Sequence, residues 1–180
     1  MPLLRGRFGR EAYVFAERCA STQRLLAEDA PDGAVAVADE QTQGRGRMGR
    51  MWVAPAGSSL LLSVRLVPGV PWERLPTLTV VAAEAVCAVV VELGLDATVK
   101  EPNDVLVAER KVAGVLAEAV EGRVTLGIGL NVSQSTDELP ERPVFPATSL
   151  ALELGVVPDR QALLVVLLAE LERRYDAWRG

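Results

Sequence analysis

No histidine occurs in the 180 residues. That removes Ser-His-Asp and Cys-His catalysis and histidine-ligated zinc together. Only two cysteines are present, Cys19 and Cys87, both in apolar stretches read as helix-like, so neither a disulfide framework nor a cysteine-rich metal site is expected, and a cytoplasmic location is the default. Aromatic residues make up 4%, which predicts an aliphatic core. Two of the nineteen basic residues are lysines, Lys100 and Lys111, and the only asparagines are Asn103 and Asn131. Where nearly every other basic position is Arg, a retained Lys suggests that a compact ammonium is wanted. The segment from Met1 to Arg10 lacks an apolar core, and longer apolar runs are interrupted by Glu84 or end within a turn or two, as at Leu163 to Ala169. Neither export nor a membrane span is expected. The net charge of −5 and pI near 4.9 argue against a protein that coats nucleic acid or an anionic membrane.

What is present is 49% hydrophobic and 24% charged with no low-complexity block, which fits one globular domain over residues 1–180. The stretch Gln41 to Trp52 alternates Gly44, Gly46 and Gly49 with Arg45, Arg47 and Arg50, and no acidic residue intrudes. Glycine lets the backbone approach a ligand, and guanidinium forks suit phosphate or carboxylate. The bland alternative is a basic surface turn. A second constellation is Lys100-Glu101-Pro102-Asn103-Asp104, with Lys111 seven residues beyond Asp104. Lysines, an amide and a carboxylate converging on an anion loop suit activation of a carboxylic acid by ATP, with positive charge for the pentacovalent phosphorus and an acid for Mg²⁺. A solvated Pro-Asn-Asp turn is its alternative. In a third, Gly127, Gly129 and Asn131 fall on one face of a strand, where either a flat ligand or a closely crossing element could lie.

Tyr13 and its neighbours, from Arg10 to Ala20, read as a strand, and Ser21-Thr22 as the cap of a short helix to about Asp29. Strands are expected over Ala34 to Asp39, Ser58 to Leu66, Ala97 to Lys100 and Val105 to Ala108. An antiparallel pair follows, Lys111 to Glu118 and Arg123 to Leu130, with turns at Glu109-Arg110 and Glu121-Gly122. Helices are expected over Pro76 to Leu93, Thr148 to Leu154 and Asp159 to Trp178, with Pro158 or Asp159 as the last one's cap, and Pro140 to Pro146 reads as loop. Grouped strands with segregated helices indicate an α+β fold with a mainly antiparallel sheet.

Four motifs in order, Gly44-Arg45-Gly46-Arg47-x-Gly49-Arg50-x-Trp52, Lys100-x-Pro102-Asn103-Asp104, Arg110-Lys111-x-Ala113-Gly114-x-Leu116-x-Glu118 and Gly127-x-Gly129-x-Asn131, resemble the catalytic domain of biotin protein ligases over roughly residues 17 to 178. The resemblance implies a fold shared with class II aminoacyl-tRNA synthetases. It implies that biotin and ATP with Mg²⁺ give biotinyl-5′-adenylate, and that the biotinyl group passes to a lysine of a biotin carboxyl carrier protein. By position it places Ser21, Thr22 and Gln41 at the ureido ring of biotin, with Gln23 beside them in the biotin site. Arg45, Gly46, Arg47, Lys111 and Gly114 complete the biotin site. Arg45, Arg47, Trp52, Lys100, Asn103, Gly129 and Asn131 face the nucleotide, Asp104 the metal, and Lys111, Arg47 and Asp104 carry the chemistry. Hydroxyls and amides suit a neutral urea, as cations suit carboxylate and phosphate. The family usually has Trp where this chain has Glu101 and Asn where it has Gln23. No helix-turn-helix is expected before Ser21 and no β-barrel domain after the last helix, so DNA is not an expected partner; a homodimer is compatible with the resemblance. Two alternatives are a lipoate or octanoate ligase or transferase of the same fold, whose signature would contain histidine, and a non-catalytic biotin-binding module marked by Glu101.

Overall fold

A computed structural model describes residues 4, 6–141 and 145–180. Part of the expected loop between Pro140 and Pro146, residues 142–144, lies outside them, as do residues 1–3 and 5 of the N-terminal stretch. Seven strands form one sheet: β1 (Tyr13–Cys19), β2 (Val35–Gln41), β3 (Ser59–Leu66), β4 (Ala97–Lys100), β5 (Asp104–Val107), β6 (Arg110–Val120) and β7 (Arg123–Asn131), in the spatial order β1-β2-β3-β7-β6-β5-β4. Only β1 and β2 pair in parallel. The α+β, mainly antiparallel expectation matches.

Strand alternation divides the chemistry between two faces. Leu60, Leu62, Val64 and Leu66 of β3 join Val124, Leu126, Ile128 and Leu130 of β7 in the main core, under α1 (Leu78–Glu92) and α3 (Arg160–Arg179). The register places Leu61, Ser63 and Arg65 opposite Gly129, Gly127 and Thr125 on the other face. The site occupies that second, more polar face.

Both β5–β6 and β6–β7 hairpins turn through two residues of positive φ, Ala108 and Glu109 (47° and 59°) and Glu121 and Gly122 (49° and 76°), the geometry that matches strand twist. The first turn is therefore one residue earlier than expected, and Arg110 already belongs to β6. The expected Pro76 to Leu93 helix divides into a 3₁₀ stretch, Trp72–Thr77, and α1 proper, because Pro76 lacks the N–H that an α-helix would need. Joined, Trp72–Glu92 is long enough, and apolar enough over an 18-residue window of mean hydropathy 1.8, to cross a membrane by length and composition only, a test that a buried core helix also meets. Here it packs between the sheet and α3 as the core helix. α2 (Leu150–Leu154) starts after Ser149, whose hydroxyl accepts from the Leu152 N–H, so the cap is Ser149 and the helix begins later than Thr148. Asp159 caps α3 by accepting from the Gln161 and Ala162 N–H groups. Cys19 lies at the end of β1, not in a helix; burial pushes its thiol pKa up.

The expected helix from Ser21 to Asp29 is a single 3₁₀ turn, Thr22–Arg24. Ser21 occupies the N-cap position in extended conformation, but its side chain makes no capping bond. Beyond the turn, Arg65 Nη2 donates to the Ala27 oxygen at 3.0 Å and Arg123 Nη1 to that of Ala30 at 3.1 Å.

Candidate active site

A cavity on the second face is walled at one end by Ser21, Thr22, Gln23 and Gln41, and at the other by Arg45, Arg47, Arg50, Asn103 and Lys111, over a floor of Gly114, Gly127 and Gly129. Its first end is neutral and polar. Gln41 Oε1 accepts from the Thr22 N–H at 2.7 Å and from the Thr22 hydroxyl at 3.1 Å, and the hydroxyls of Thr22 and Ser63 are hydrogen-bonded at 2.8 Å. Gln23 lies over Gly127, where an added Cβ would come within 3.2 Å of its amide nitrogen.

The Gly/Arg loop forms a small hairpin. Arg45 bridges Met51, the Gly46 N–H donates to the Arg50 carbonyl at 2.7 Å, and the Trp52 N–H donates to that of Gly44 at 3.0 Å. Met48 and Gly49 turn its tip with φ of 58° and 74°. Gly44 is required there, since a Cβ would lie 2.3 Å from the Trp52 oxygen.

From this hairpin Trp52 reaches down onto the floor. A Cβ at Gly129 would come within 2.5 Å of the indole and one at Gly114 within 3.1 Å, so the glycine face holds a flat ring, and the ring is the chain's own. The indole is 9% exposed and its N–H has no acceptor. Such a buried donor is costly to leave unpaired.

Each cation at the second end has an internal partner. Lys111, 7% exposed, donates from Nζ to Asp104 Oδ1 at 2.5 Å. Arg47 donates to Asn103 Oδ1 at 3.2 Å, while Asn103 itself donates to the Val115 carbonyl. Arg45 pairs with both carboxylate oxygens of Glu118, at 3.0 and 2.8 Å. For Arg47, exchange of the neutral Asn103 amide for a carboxylate or phosphate would give a charge-assisted contact, whereas Lys111 and Arg45 would share or exchange carboxylates they already hold. The free volume inside the cleft is about 50 Å³, with the Trp52 indole filling the space above Gly114 and Gly129.

Of the expected site residues, Ser21, Thr22, Gln23, Gln41, Arg45, Gly46, Arg47, Trp52, Asn103, Lys111, Gly114 and Gly129 all line this cavity. Asp104 lies behind Lys111 as its counter-ion. Lys100 shares Asp104's face, being opposite it in register, but is exposed on the edge strand β4 outside the lining. Asn131 is turned to a buried network, donating to the Thr148 carbonyl at 2.9 Å and accepting from Gln134 at 3.0 Å. Arg50, Met51, Leu116 and Gly127 also line the cavity, and Glu118 and Ser63 support it. Leu116 and Glu118 stood inside the motifs without roles, while Arg50 and Gly127 were read only as parts of the anion loop and of the glycine face. Ser63 carried no sequence signal, since its part depends on strand register. Among the described residues no three acidic or cysteine side chains cluster as a metal site.

A seven-stranded, mainly antiparallel sheet with helices on one face and a cation-lined cavity on the other is a class II synthetase-like fold. The chain belongs to the biotin/lipoate A/B protein ligase family, whose model matches residues 15–135. It is 41% identical over 181 residues to the biotin--[acetyl-CoA-carboxylase] ligase of Mycobacterium tuberculosis, covering 95% of this chain and 66% of that one. It is 37% identical to the bifunctional ligase/repressor BirA of Bacillus subtilis, covering 94% of this chain. The match spans just 57% of that relative's length. Among solved structures, the biotin protein ligase from Aquifex aeolicus in complex with biotin and ATP superposes with a TM-score of 0.84 at 33% identity, covering 94% of this chain and 72% of that one.

Proposed function

We propose that this chain activates biotin with ATP and transfers the biotinyl group to a lysine of a biotin carboxyl carrier protein. The observation that carries the reading is one cavity with a neutral, hydroxyl- and amide-lined end at Thr22 and Gln41 and a cationic end at Arg45, Arg47 and Lys111. Thr22, Gln23 and Gln41 would hold the ureido ring, which offers both donors and acceptors. Lys111 would lie between the biotin carboxylate and the α-phosphate. A carboxylate oxygen attacks the α-phosphorus, the bond to the bridging oxygen breaks and pyrophosphate leaves. The amine of the acceptor lysine then displaces AMP, losing a proton as the amide forms.

Lys111 and the hairpin arginines stabilise the negative charge that develops on the phosphoryl oxygens, which is where fixed cations contribute most. Asp104 holds Lys111 in place. Magnesium enters this scheme with ATP, since Mg²⁺ is commonly carried by substrate phosphates and one or two carboxylates. The indole of Trp52, displaced from the glycine floor, is placed to stack on the adenine. The net charge of −5 disfavours DNA as a partner, and two unpaired cysteines accord with a cytoplasmic setting.

Biotin-dependent exchange between pyrophosphate and ATP tests the first step, and labelling of a carrier domain at one lysine tests the second. Both are expected with biotin. Equal turnover with lipoate or octanoate would overturn the substrate assignment, and binding of biotin with no exchange would leave a binding module.

A further inference from the structure

The segment carrying Thr22 and Gln23 crosses the sheet without strand pairing from Ser21 to Ala30. Its fastenings follow one another along β3 and β7. Ser63 bonds the Thr22 hydroxyl at 2.8 Å, and Gln23 lies on Gly127 while its amide donates to the Leu116 and Thr125 carbonyls, both at 3.4 Å. Next along the same face, Arg65 donates to the Ala27 carbonyl at 3.0 Å, and Arg123, at the start of β7, donates to that of Ala30 at 3.1 Å. Beneath these, Leu26, Ala30, Ala34 and Ala36 make a small apolar cluster that offers little packing of its own.

Arg65 is an expensive residue to place here. It is 8% exposed, its Nε has no acceptor, and the other guanidinium, Arg123, repels it. Burial first, and Arg123 second, lower its pKa, with Glu28 opposing them weakly. An aliphatic side chain like Leu61, on the same face of the strand, would avoid the desolvation. What the guanidinium supplies that an aliphatic cannot is a grip on a main-chain carbonyl.

We infer that Arg65 and Arg123 are positioning residues for the ring end of the cavity: they hold the chain after Thr22–Arg24 by its carbonyls and so keep Thr22 and Gln23 in their ligand-binding arrangement. The inference rests on biotin being the ligand of that end. Without the two anchors the segment must be ordered by the ligand itself, and that ordering is subtracted from affinity. Chemistry at Lys111, on the far side of the cavity, is untouched.

The test compares Arg65→Met, Arg65→Lys and Arg123→Gln with the unmodified protein, measuring kcat, KM for biotin and for ATP, and amide hydrogen exchange over residues 22–30. Arg65→Met should raise the KM for biotin about tenfold while kcat and the KM for ATP stay within about twofold. Arg65→Lys, which still offers a donor, should recover most of that loss. Arg123→Gln should change in the same sense by a smaller factor, and it decides the matter should Arg65→Met fail to fold. Exchange over 22–30 should quicken in Arg65→Met and Arg123→Gln. Quicker exchange with an unchanged KM for biotin overturns the link to the site, and so does an equal rise in both KM values or a fall in kcat alone. Absence of biotin turnover in the unmodified protein sinks the functional reading instead, a result separable from any of these.

Discussion

Lys111 is fixed from three sides. Its N–H donates to the Pro146 carbonyl at 2.7 Å, its carbonyl accepts from the Thr148 N–H at 2.9 Å, and its ammonium is held by Asp104. A cation so constrained stabilises a developing charge without reorganising when the reaction occurs. Lys111→Ala should lose ~2 to 4 kcal/mol of transition-state stabilisation, roughly 30- to 1,000-fold in adenylate formation. A loss below about threefold in single-turnover assays would make Lys111 a structural residue. Its place in the cavity was legible because lysine is so rare in this chain. Asp104 was legible as a neighbour, whereas its pairing with Lys111 needed the β5–β6 hairpin. Glu101 was marked by the departure it makes from the family pattern, yet it is exposed and lies outside the cavity lining.

Among the elements, the Gly44–Trp52 hairpin is the one that closes over the cavity. Its own bridge, the Arg45–Glu118 pair and the Arg47–Asn103 bond hold it over the floor. Exposed ion pairs contribute ~0 to 1 kcal/mol each, so the larger hold on the hairpin is the buried Trp52 indole, which a ligand must replace on the floor for the hairpin to open and close again around a product. A mixed anhydride needs that closure, because water would hydrolyse it. Arg47→Ala should therefore release biotinyl-adenylate faster than the unmodified protein, seen as a shorter-lived enzyme-bound adenylate in chase experiments. Unchanged retention would remove Arg47 from the closure. Alternating glycines and arginines announced this element plainly. The segment after Ser21 was misread as a helix, since what holds it, the Gln41 and Ser63 contacts at Thr22 and the Arg65 and Arg123 bonds to Ala27 and Ala30, comes from residues distant in sequence.

At the scale of the molecule, strand alternation and buried helix faces were readable from the sequence, but the order β1-β2-β3-β7-β6-β5-β4 was not, since it depends on long-range pairing of β3 with β7. That pairing has a consequence for how stability and activity divide. The helices α1 and α3 cover one face of the sheet through Leu163, Leu164, Leu167, Leu168 and Leu171, and the cavity lies on the other. Leu167 is fully buried in this layer. Leu167→Ala removes three carbons and leaves a void, a change that costs ~2 to 5 kcal/mol in cores. For a domain of this size, each kcal/mol corresponds to about 2 to 4 °C in Tm, so a fall of roughly 4 to 20 °C is expected. Between the void and the ligand stand the paired backbones of β3 and β7, which hydrogen bonding on both sides makes stiff. Measured well below its Tm, the variant should keep its KM for biotin within about twofold, the opposite of what Arg65→Met should do. A severalfold rise in that KM while the protein is still fully folded would mean that the helix layer and the cavity are coupled through the sheet.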